Sequence, residues 1–249
     1  MRKIGLIGFG KICKAIYHEL TEKKLGTVCF VQDVKEDDIP KEATFITTYE
    51  EEAYKSVDLI IEGATAAVLK ENVEEILKNA DLMMFSVTAF ADEEFYKKAL
   101  ETASKYGHHI YIPHGAILGL DGILDGAKVW KEVSITTTKS PASLGREDKK
   151  VTILYDGPAR GACMEYPRNV NVHAVVALLG IGFDKTHSKI IADPSVNTNS
   201  HIISLKGQGI EMELHVTSFT TGGVTGIYTP LSAQGSLNRI LGDDVLKIC

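Results

Sequence analysis

The sequence predicts an α/β protein in which an N-terminal doubly wound parallel sheet precedes a second, α+β domain built on a mostly antiparallel sheet. In the first half, short apolar runs alternate with amphipathic helical segments, which is typical of a parallel sheet covered by helices on both faces. After Pro113, strand-like runs follow one another with a single strong helical segment between them. That second pattern favours an antiparallel sheet with a helix on one face.

The first strand is predicted over 3–8, KIGLIG, because it is a short apolar run ending in glycine. A helix follows, since Ile12, Ile16 and Leu20 recur at helical spacing while Lys14 and His18 point outward. Further strands are predicted at 26–33, 43–49, 57–64, 80–92 with its exit loop, and 108–116, and further helices at 69–79 and 92–107.

In the second half, the helix is predicted over 169–180 and a glycine-broken helix over 115–128. Strands are predicted at 129–140, 149–157, 185–194 and 199–219, the last folded into a hairpin at the GQG turn of 207–209. We expect the segment from Pro230 to form a helix that packs back on the first domain. The predicted domains are therefore 1–113, with 230–249 packed on it, and 114–229.

Composition excludes several classes of protein. The 249 residues are 44% hydrophobic and 24% charged, with a net charge of −6, which argues against a general nucleic-acid binder. No apolar run approaches the roughly 20 residues of a membrane helix, and no signal-peptide pattern is present. The four cysteines show no CxxC spacing, so neither a disulfide framework nor a metal site is expected. A cytoplasmic protein is predicted.

The stretch GFGKIC, residues 8–13, nearly matches the dinucleotide-binding turn G-x-G-x-x-G. Gly8 permits the tight bend, and Gly10 lets backbone N–H groups, including those of Lys11 and Ile12, approach a pyrophosphate at the helix N-terminus. Cys13 stands where the third glycine is usual, a position that needs only a small residue for packing. The motif predicts a Rossmann dinucleotide-binding domain.

An acidic residue ends the second strand, as a ribose-binding carboxylate does in this fold. Asp33 lies 23 residues after Gly10, and its charge favours NAD because it would repel the 2′-phosphate of NADP. Lys35 leaves use of NADP open. Loops after later strands should line the same crevice, which nominates Gly63 and Ala64. The alternative is a chance pair of glycines with a solvated acid.

Four segments of the chain resemble the L-aspartate dehydrogenase family. They are PHGAILGLDGI (113–123), SITTTKSP (134–141), GPARGACMEYPRNVNVHAVVALLGIGFDKT (157–186) and IIADPSVNTNSHII (190–203). The resemblance implies a substrate domain after the Rossmann domain, and NAD(P)-dependent oxidation of L-aspartate to oxaloacetate and ammonia through iminoaspartate. It also implies a link to NAD biosynthesis, because iminoaspartate feeds quinolinate formation.

The resemblance places the active-site histidine at His201 and implies cofactor contacts for Ala116 and Asn171. Histidine suits proton transfer near neutral pH. Asn199, in the same N-x-H stretch, is expected to bind the substrate. His173, one turn into the predicted helix, and His114, which replaces the family's usual serine, are weaker candidates.

A dicarboxylate substrate requires a cation, and Lys139 at the end of the Thr-rich strand is the first choice, ahead of Arg160 and Arg168. Thr138 and Thr137 are expected to add hydroxyl donors.

The segment 220–237 departs from the family pattern, and this departure leaves the exact substrate open. A homoserine-dehydrogenase-like or dihydrodipicolinate-reductase-like enzyme stays an alternative, as does a non-catalytic NAD sensor. An apolar sheet face in the second half suggests a homodimer.

Overall fold

The structure is a computed structural model that describes residues 1–219, 226–243 and 245–246. It divides into two units: residues 1–113 with the described part of 230–249, and the described part of 114–229. Of the divergent segment 220–237, residues 220–225 lie outside the described residues. Within the described part of the chain, no helix is long and apolar enough to span a membrane.

The first unit is built on a six-stranded parallel sheet with the strand order β3-β2-β1-β4-β5-β6. This order is that of the Rossmann fold, so the predicted doubly wound sheet is confirmed. Its strands are β1 (Arg2–Ile7), β2 (Gly26–Gln32), β3 (Thr44–Ile46), β4 (Leu59–Glu62), β5 (Asp81–Met84) and β6 (Ile110–Tyr111). Its first four helices are α1 (Lys11–Glu22), α2 (Glu51–Lys55), α3 (Ala66–Asn79) and α4 (Glu93–Tyr106).

Local sequence signals explain where two of these helices begin and where one of them ends. The Thr65 side chain accepts a hydrogen bond from the Val68 amide at the start of α3, and Asp92 accepts one from Phe95 at the start of α4. Gly107 ends α4 with a φ of +75°, a left-handed conformation that glycine adopts without strain.

The second unit is built on a five-stranded sheet in the order β11-β10-β7-β9-β8. Only β7 and β9 run parallel, so the sheet is mostly antiparallel, as predicted. The strands are β7 (Trp130–Lys139), β8 (Thr152–Pro158), β9 (His187–Ala192), β10 (Thr198–Gly207) and β11 (Ile210–Phe219), and the helices are α5 (Leu120–Asp125), α6 (Ala159–Glu165) and α7 (Asn171–Leu179).

Two expectations for this half need correction. The glycine-rich segment 115–128 contains only the six-residue α5, and α6 was not predicted. Helix α6 has seven residues, too few for a helical apolar pattern, and it contains Gly161. A Cβ at Gly161 would lie 2.1 Å from the Tyr155 hydroxyl oxygen. Close packing against β8 therefore requires glycine at this position, although glycine has a low helix propensity.

The final described helix, α8 (Tyr228–Leu241), packs against the first unit. Ala233 and Leu237 are fully buried in the apolar core that includes residues of β1 and α1. Two polar contacts join the same helices: Gln234 donates to the Ala15 carbonyl at 2.9 Å, and Asn238 donates to the Glu19 carboxylate at 2.7 Å.

Candidate functional site

The glycine-rich turn between β1 and α1 has the backbone geometry of an anion site. Gly8 has a φ of +81°, and a Cβ there would lie 2.9 Å from Ala64, so only glycine fits. Gly10 caps α1, and a Cβ built on it meets nothing within 4 Å. The first-turn amides of α1, from Lys11 and Ile12, lack intrahelical acceptors and carry partial positive charge. The turn therefore fits a pyrophosphate.

Cys13 occupies the third glycine position and is fully buried. Burial, with a smaller effect from the Glu62 and Asp33 carboxylates, raises the pKa of its thiol. A Cβ at Gly63 would lie 2.7 Å from the Cys13 sulfur. The sulfur thus fills the space left by Gly63, and Cys13 serves packing instead of chemistry.

Asp33 lies beside the same turn. Its carboxylate accepts a hydrogen bond of 2.6 Å from the Phe9 amide and another of 2.6 Å from the Val34 amide. These bonds hold the acid at the end of β2. The first unit therefore brings together, around one turn, six of its predicted cofactor residues: Gly8, Gly10, Lys11, Ile12, Asp33 and Ala64.

Glu62, at the carboxyl end of β4, is a buried residue near the turn that the sequence did not identify as a site residue. It is fully buried, and its carboxylate accepts bonds from the Ala64 amide (2.8 Å), the Ser86 amide (3.0 Å) and the Ser86 hydroxyl (2.7 Å). Burial raises its pKa, while these bonds oppose the rise. Glu62 thereby ties together the loops after β4 and β5. The sequence signal that could have identified Glu62 is an acidic residue directly after the apolar run LII (59–61).

In the second unit, four buried polar side chains share one face of the sheet. Strands β7 and β10 are antiparallel, with Lys139 opposite Asn199 and Thr137 opposite His201. Because side chains alternate along a strand, these four residues, which we call the β7–β10 cluster, lie on the same face. Thr138 faces the other way, so Thr137 is the threonine that the structure brings to the cluster.

Lys139 is a buried cation, with only 4% of its surface exposed. Burial lowers its pKa to about 8. Among the described residues, no carboxylate forms an ion pair with it. A buried charge without a counter-ion is costly, and an anionic ligand would supply the missing partner.

The two other predicted cations have different surroundings. The Arg160 guanidinium donates two bonds, of 2.6 and 2.7 Å, to the carboxylate of Asp184. Arg168 is exposed to solvent. Of the three candidates, Lys139 alone lies in the β7–β10 cluster.

His201 is 2% exposed, and burial together with the Lys139 charge lowers its pKa to about 3. It is therefore neutral at physiological pH. Its Nδ1 lies 2.8 Å from the Thr137 hydroxyl oxygen. Within the described part of the chain, Nε2 has no hydrogen-bond partner, so this nitrogen is available to a substrate.

The Thr137 hydroxyl also lies 2.6 Å from Nε2 of His173, whose Nδ1 lies 2.5 Å from the Ser188 hydroxyl. All three residues are buried. Burial, with help from the neighbouring His201 and Lys139, lowers the pKa of His173 well below its usual value. His173 was only a secondary candidate from the sequence, and Ser188 was not a candidate.

The remaining predicted residues also belong to the second unit. Ala116 follows Gly115, which has a φ of +62°, and Asn171 is the first residue of α7. His114 lies 4.0 Å from the Asp121 carboxylate.

The fold, the anion-binding turn and the β7–β10 cluster define a two-domain NAD(P)-dependent oxidoreductase. Residues 8–113 match the family described as the homoserine dehydrogenase NAD-binding domain, and residues 124–240 match the aspartate dehydrogenase C-terminal domain. The chain is 34% identical to the L-aspartate dehydrogenase of Methanosarcina acetivorans over 97% of each chain. It therefore belongs to the L-aspartate dehydrogenase family.

Solved structures agree with this membership. The crystal structure of aspartate dehydrogenase from Thermotoga maritima is 27% identical and superposes with a TM-score of 0.81, covering 100% of this chain and 99% of that one. A dihydrodipicolinate reductase from Paenisporosarcina, at 12% identity and a TM-score of 0.54 over 97% and 95% of the two chains, shares the fold alone.

The lowered pKa of His201 predicts how stability depends on pH. Between its folded pKa of about 3 and the usual 6.5, the unfolded chain binds more protons than the folded one. The free energy of unfolding should therefore fall on acidification below pH 6.5, by about 1.4 kcal/mol per pH unit from this group. Urea unfolding at several pH values measures the slope.

His201→Gln should flatten this slope by about the same amount, whereas His109→Gln, at an exposed histidine, should leave it unchanged. An identical slope in His201→Gln and the unmodified protein would contradict the assignment.

Proposed function

We propose that this protein catalyses the NAD-dependent oxidation of L-aspartate to oxaloacetate and ammonia through iminoaspartate. The observation that carries the proposal is a buried lysine, Lys139, placed beside a buried neutral histidine, His201, on one face of the second sheet. A cation that lacks a carboxylate partner among the described residues suits an acidic substrate, and a neutral imidazole suits proton removal.

The cofactor in this proposal is held mainly by the turn after β1. The backbone of Gly8, Gly10, Lys11 and Ile12 receives the pyrophosphate, and Asp33 binds the ribose hydroxyls. The remaining proposed contacts come from Gly63, Ala64, Ala116 and Asn171. When bound, NAD supplies the acceptor for the hydride that leaves the substrate α-carbon. We propose NAD over NADP because Asp33 places a negative charge where a 2′-phosphate would lie.

Substrate recognition is assigned to the β7–β10 cluster. Lys139 pairs with a substrate carboxylate, and the neighbouring Asn199 offers an amide to the same group. Binding has a further consequence, because the Lys139 charge is one of the two causes that lower the pKa of His201. A bound carboxylate compensates that charge and so raises the pKa of His201, which makes the histidine a stronger base when substrate is present.

His201 moves the protons of the reaction. The substrate amine reacts in its neutral form, so the loss of a hydride from the α-carbon leaves an iminium group, which is protonated iminoaspartate. A water molecule then adds to that carbon while Nε2 of His201 accepts the water's proton. The same nitrogen returns this proton to the amine of the carbinolamine. The C–N bond then breaks to release ammonia, the carbinolamine hydroxyl loses its proton to solvent as the carbonyl of oxaloacetate forms, and the histidine is neutral again. The overall reaction consumes one aspartate, one NAD and one water, and it yields oxaloacetate, ammonia, NADH and one proton. A link to NAD biosynthesis through iminoaspartate stays a prediction.

The proposal includes a homodimer. The face of the second sheet opposite the β7–β10 cluster carries Thr136, Thr138 and Ile202, and Ile202 is 38% exposed. Sedimentation should give twice the 27.1 kDa mass of one chain; a monomer at micromolar concentration would contradict this part.

The direct test measures NADH formation from a panel of amino acids that includes L-aspartate and L-homoserine. Aspartate should be the preferred substrate, and NAD should support a higher kcat/KM than NADP. His201→Ala should reduce kcat by about 100-fold or more, which is the usual contribution of a positioned proton-transfer group. His18→Ala, on α1, is the control. No aspartate turnover, or an undiminished rate in His201→Ala, would contradict the proposal.

Replacing Lys139 tests substrate recognition separately. Lys139→Met should raise the KM for aspartate by about tenfold or more, because a charge-assisted hydrogen bond to a carboxylate is lost. The KM for NAD should change little. Lys131→Met, at an exposed lysine of the same strand, is the matched control and should behave like the unmodified enzyme. Equal KM values for aspartate in the two variants would exclude this role for Lys139.

A further inference from the structure

A buried line of hydrogen bonds leads away from His201 into the second unit. It runs from Nδ1 of His201 to the Thr137 hydroxyl, then to Nε2 of His173, and from Nδ1 of His173 to Ser188. The three contacts measure 2.8, 2.6 and 2.5 Å. We call these four residues the histidine line. The inference drawn from it rests on the proposed function of His201.

The number of protons in the histidine line limits its arrangements. A neutral imidazole has one N–H donor and one acceptor nitrogen, and a hydroxyl has one proton to donate. Both histidines are buried, and burial disfavours their charged forms. Among the described residues, the side-chain oxygen of Thr137 has hydrogen-bond contacts only with these two nitrogens. If it accepted from both histidines, its own buried proton would have no acceptor, which is costly. The Thr137 hydroxyl therefore donates to one histidine and accepts from the other, and only two directions of hydrogen bonding make all three contacts and also satisfy this proton.

The two directions give His201 opposite properties. In the first, Nδ1–H of His201 donates to Thr137, Thr137 donates to His173, and His173 donates to Ser188. Nε2 of His201 then carries a lone pair and can accept a proton. In the second direction every bond is reversed, so Nε2 of His201 carries the proton and cannot act as a base. Deamination requires the first direction.

We propose that His173 is a positioning residue that accepts a hydrogen bond from the Thr137 hydroxyl and thereby keeps the proton of His201 on Nδ1. His173 does not touch the reacting atoms in this role. It acts through Thr137, and Ser188 supports it by accepting a hydrogen bond from Nδ1–H of His173. Without an acceptor at position 173, the Thr137 hydroxyl is free to donate to Nδ1 of His201, and the basic nitrogen becomes protonated.

The geometry favours a specific role over general packing. An apolar side chain would fill the same buried space on α7 with no need for polar partners, yet both ring nitrogens of His173 lie within hydrogen-bond distance of hydroxyl oxygens. A buried polar network with every contact made defines one arrangement of its members. The second and third members of the line lie on β7 and α7, so the network also links the sheet to the helix that covers it.

The test reads the tautomer of His201 directly, by ¹⁵N spectra of histidine-labelled protein. The His201 signals are assigned by their loss in His201→Gln. The unmodified protein should show a protonated Nδ1 and an unprotonated Nε2. In His173→Leu the populations should shift toward protonated Nε2, and kcat should fall by about tenfold or more with the KM for aspartate changed less than about twofold.

Conservative and control variants complete the experiment. His173→Gln retains an amide oxygen that can accept from Thr137, so kcat should recover to within about threefold of the unmodified enzyme. His109→Leu, at an exposed histidine of the other unit, should change neither the His201 tautomer nor kcat. If His173→Leu does not fold, Ser188→Ala carries the same expectation in weaker form, because it removes the acceptor at the far end of the line.

A resting His201 protonated on Nε2 would overturn the proposal, as would an unchanged tautomer and kcat in both His173→Leu and Ser188→Ala. The tautomer is measured without turnover, so this result tests the role of His173 alone. Failure of the proposed reaction would show itself differently, as the absence of aspartate oxidation by the unmodified enzyme.

Discussion

The uninterrupted pairing of β7 with β10 is the constraint on which the site depends. From Asn199 to Lys206 the two strands stay in register, and the register shifts only at Gly207. Because the side-chain period of a strand is two, a slip of one residue between β7 and β10 would place Lys139 and His201 on opposite faces of the sheet. The hairpin that continues β10 into β11 and the parallel partner β9 hold this register from both sides.

That register concentrates polar groups where the rest of the sheet buries apolar ones. Further along the same face, Ile135 and Ile203 are fully buried, and this apolar surface anchors the polar end of the strands. The price of the arrangement is an uncompensated cation and two histidines kept neutral by burial. Such groups lower stability and are typical of functional sites. An acidic substrate removes one of these penalties by pairing with Lys139.

The two units differ in how far the sequence predicts them. In the first, spacing alone locates Gly8, Gly10 and Asp33, because the chemistry of a phosphate-binding turn is local and repeats at fixed intervals. Cys13 departs from the motif at a position that the sequence analysis assigned to packing. The structure adds which space it fills, because the Cys13 sulfur on α1 lies over Gly63, directly after β4. The role of Glu62 was not predicted, because it bonds to Ser86, 24 residues further along the chain, and no local pattern indicates such a contact.

In the second unit, the strands and α7 were predictable from alternation and periodicity, but their pairing was not. His173 and His201 are 36 and 64 residues from Thr137, and no sequence pattern predicts that one hydroxyl lies between them. The resemblance to the aspartate dehydrogenase family drew attention to His201 and Asn199, whereas the histidine line and the choice of Thr137 over Thr138 follow from the sheet register.

The central claim of this account is that the buried Lys139 ammonium binds a carboxylate of the substrate. A titration of the ¹³Cε resonance of Lys139 tests that claim most directly, with and without succinate, a dicarboxylate that lacks the amine. We expect the free protein to titrate with a pKa of about 8, and succinate to raise this pKa because the bound carboxylate stabilises the charged lysine. A Lys139 pKa that is the same with saturating succinate as without it would contradict the account.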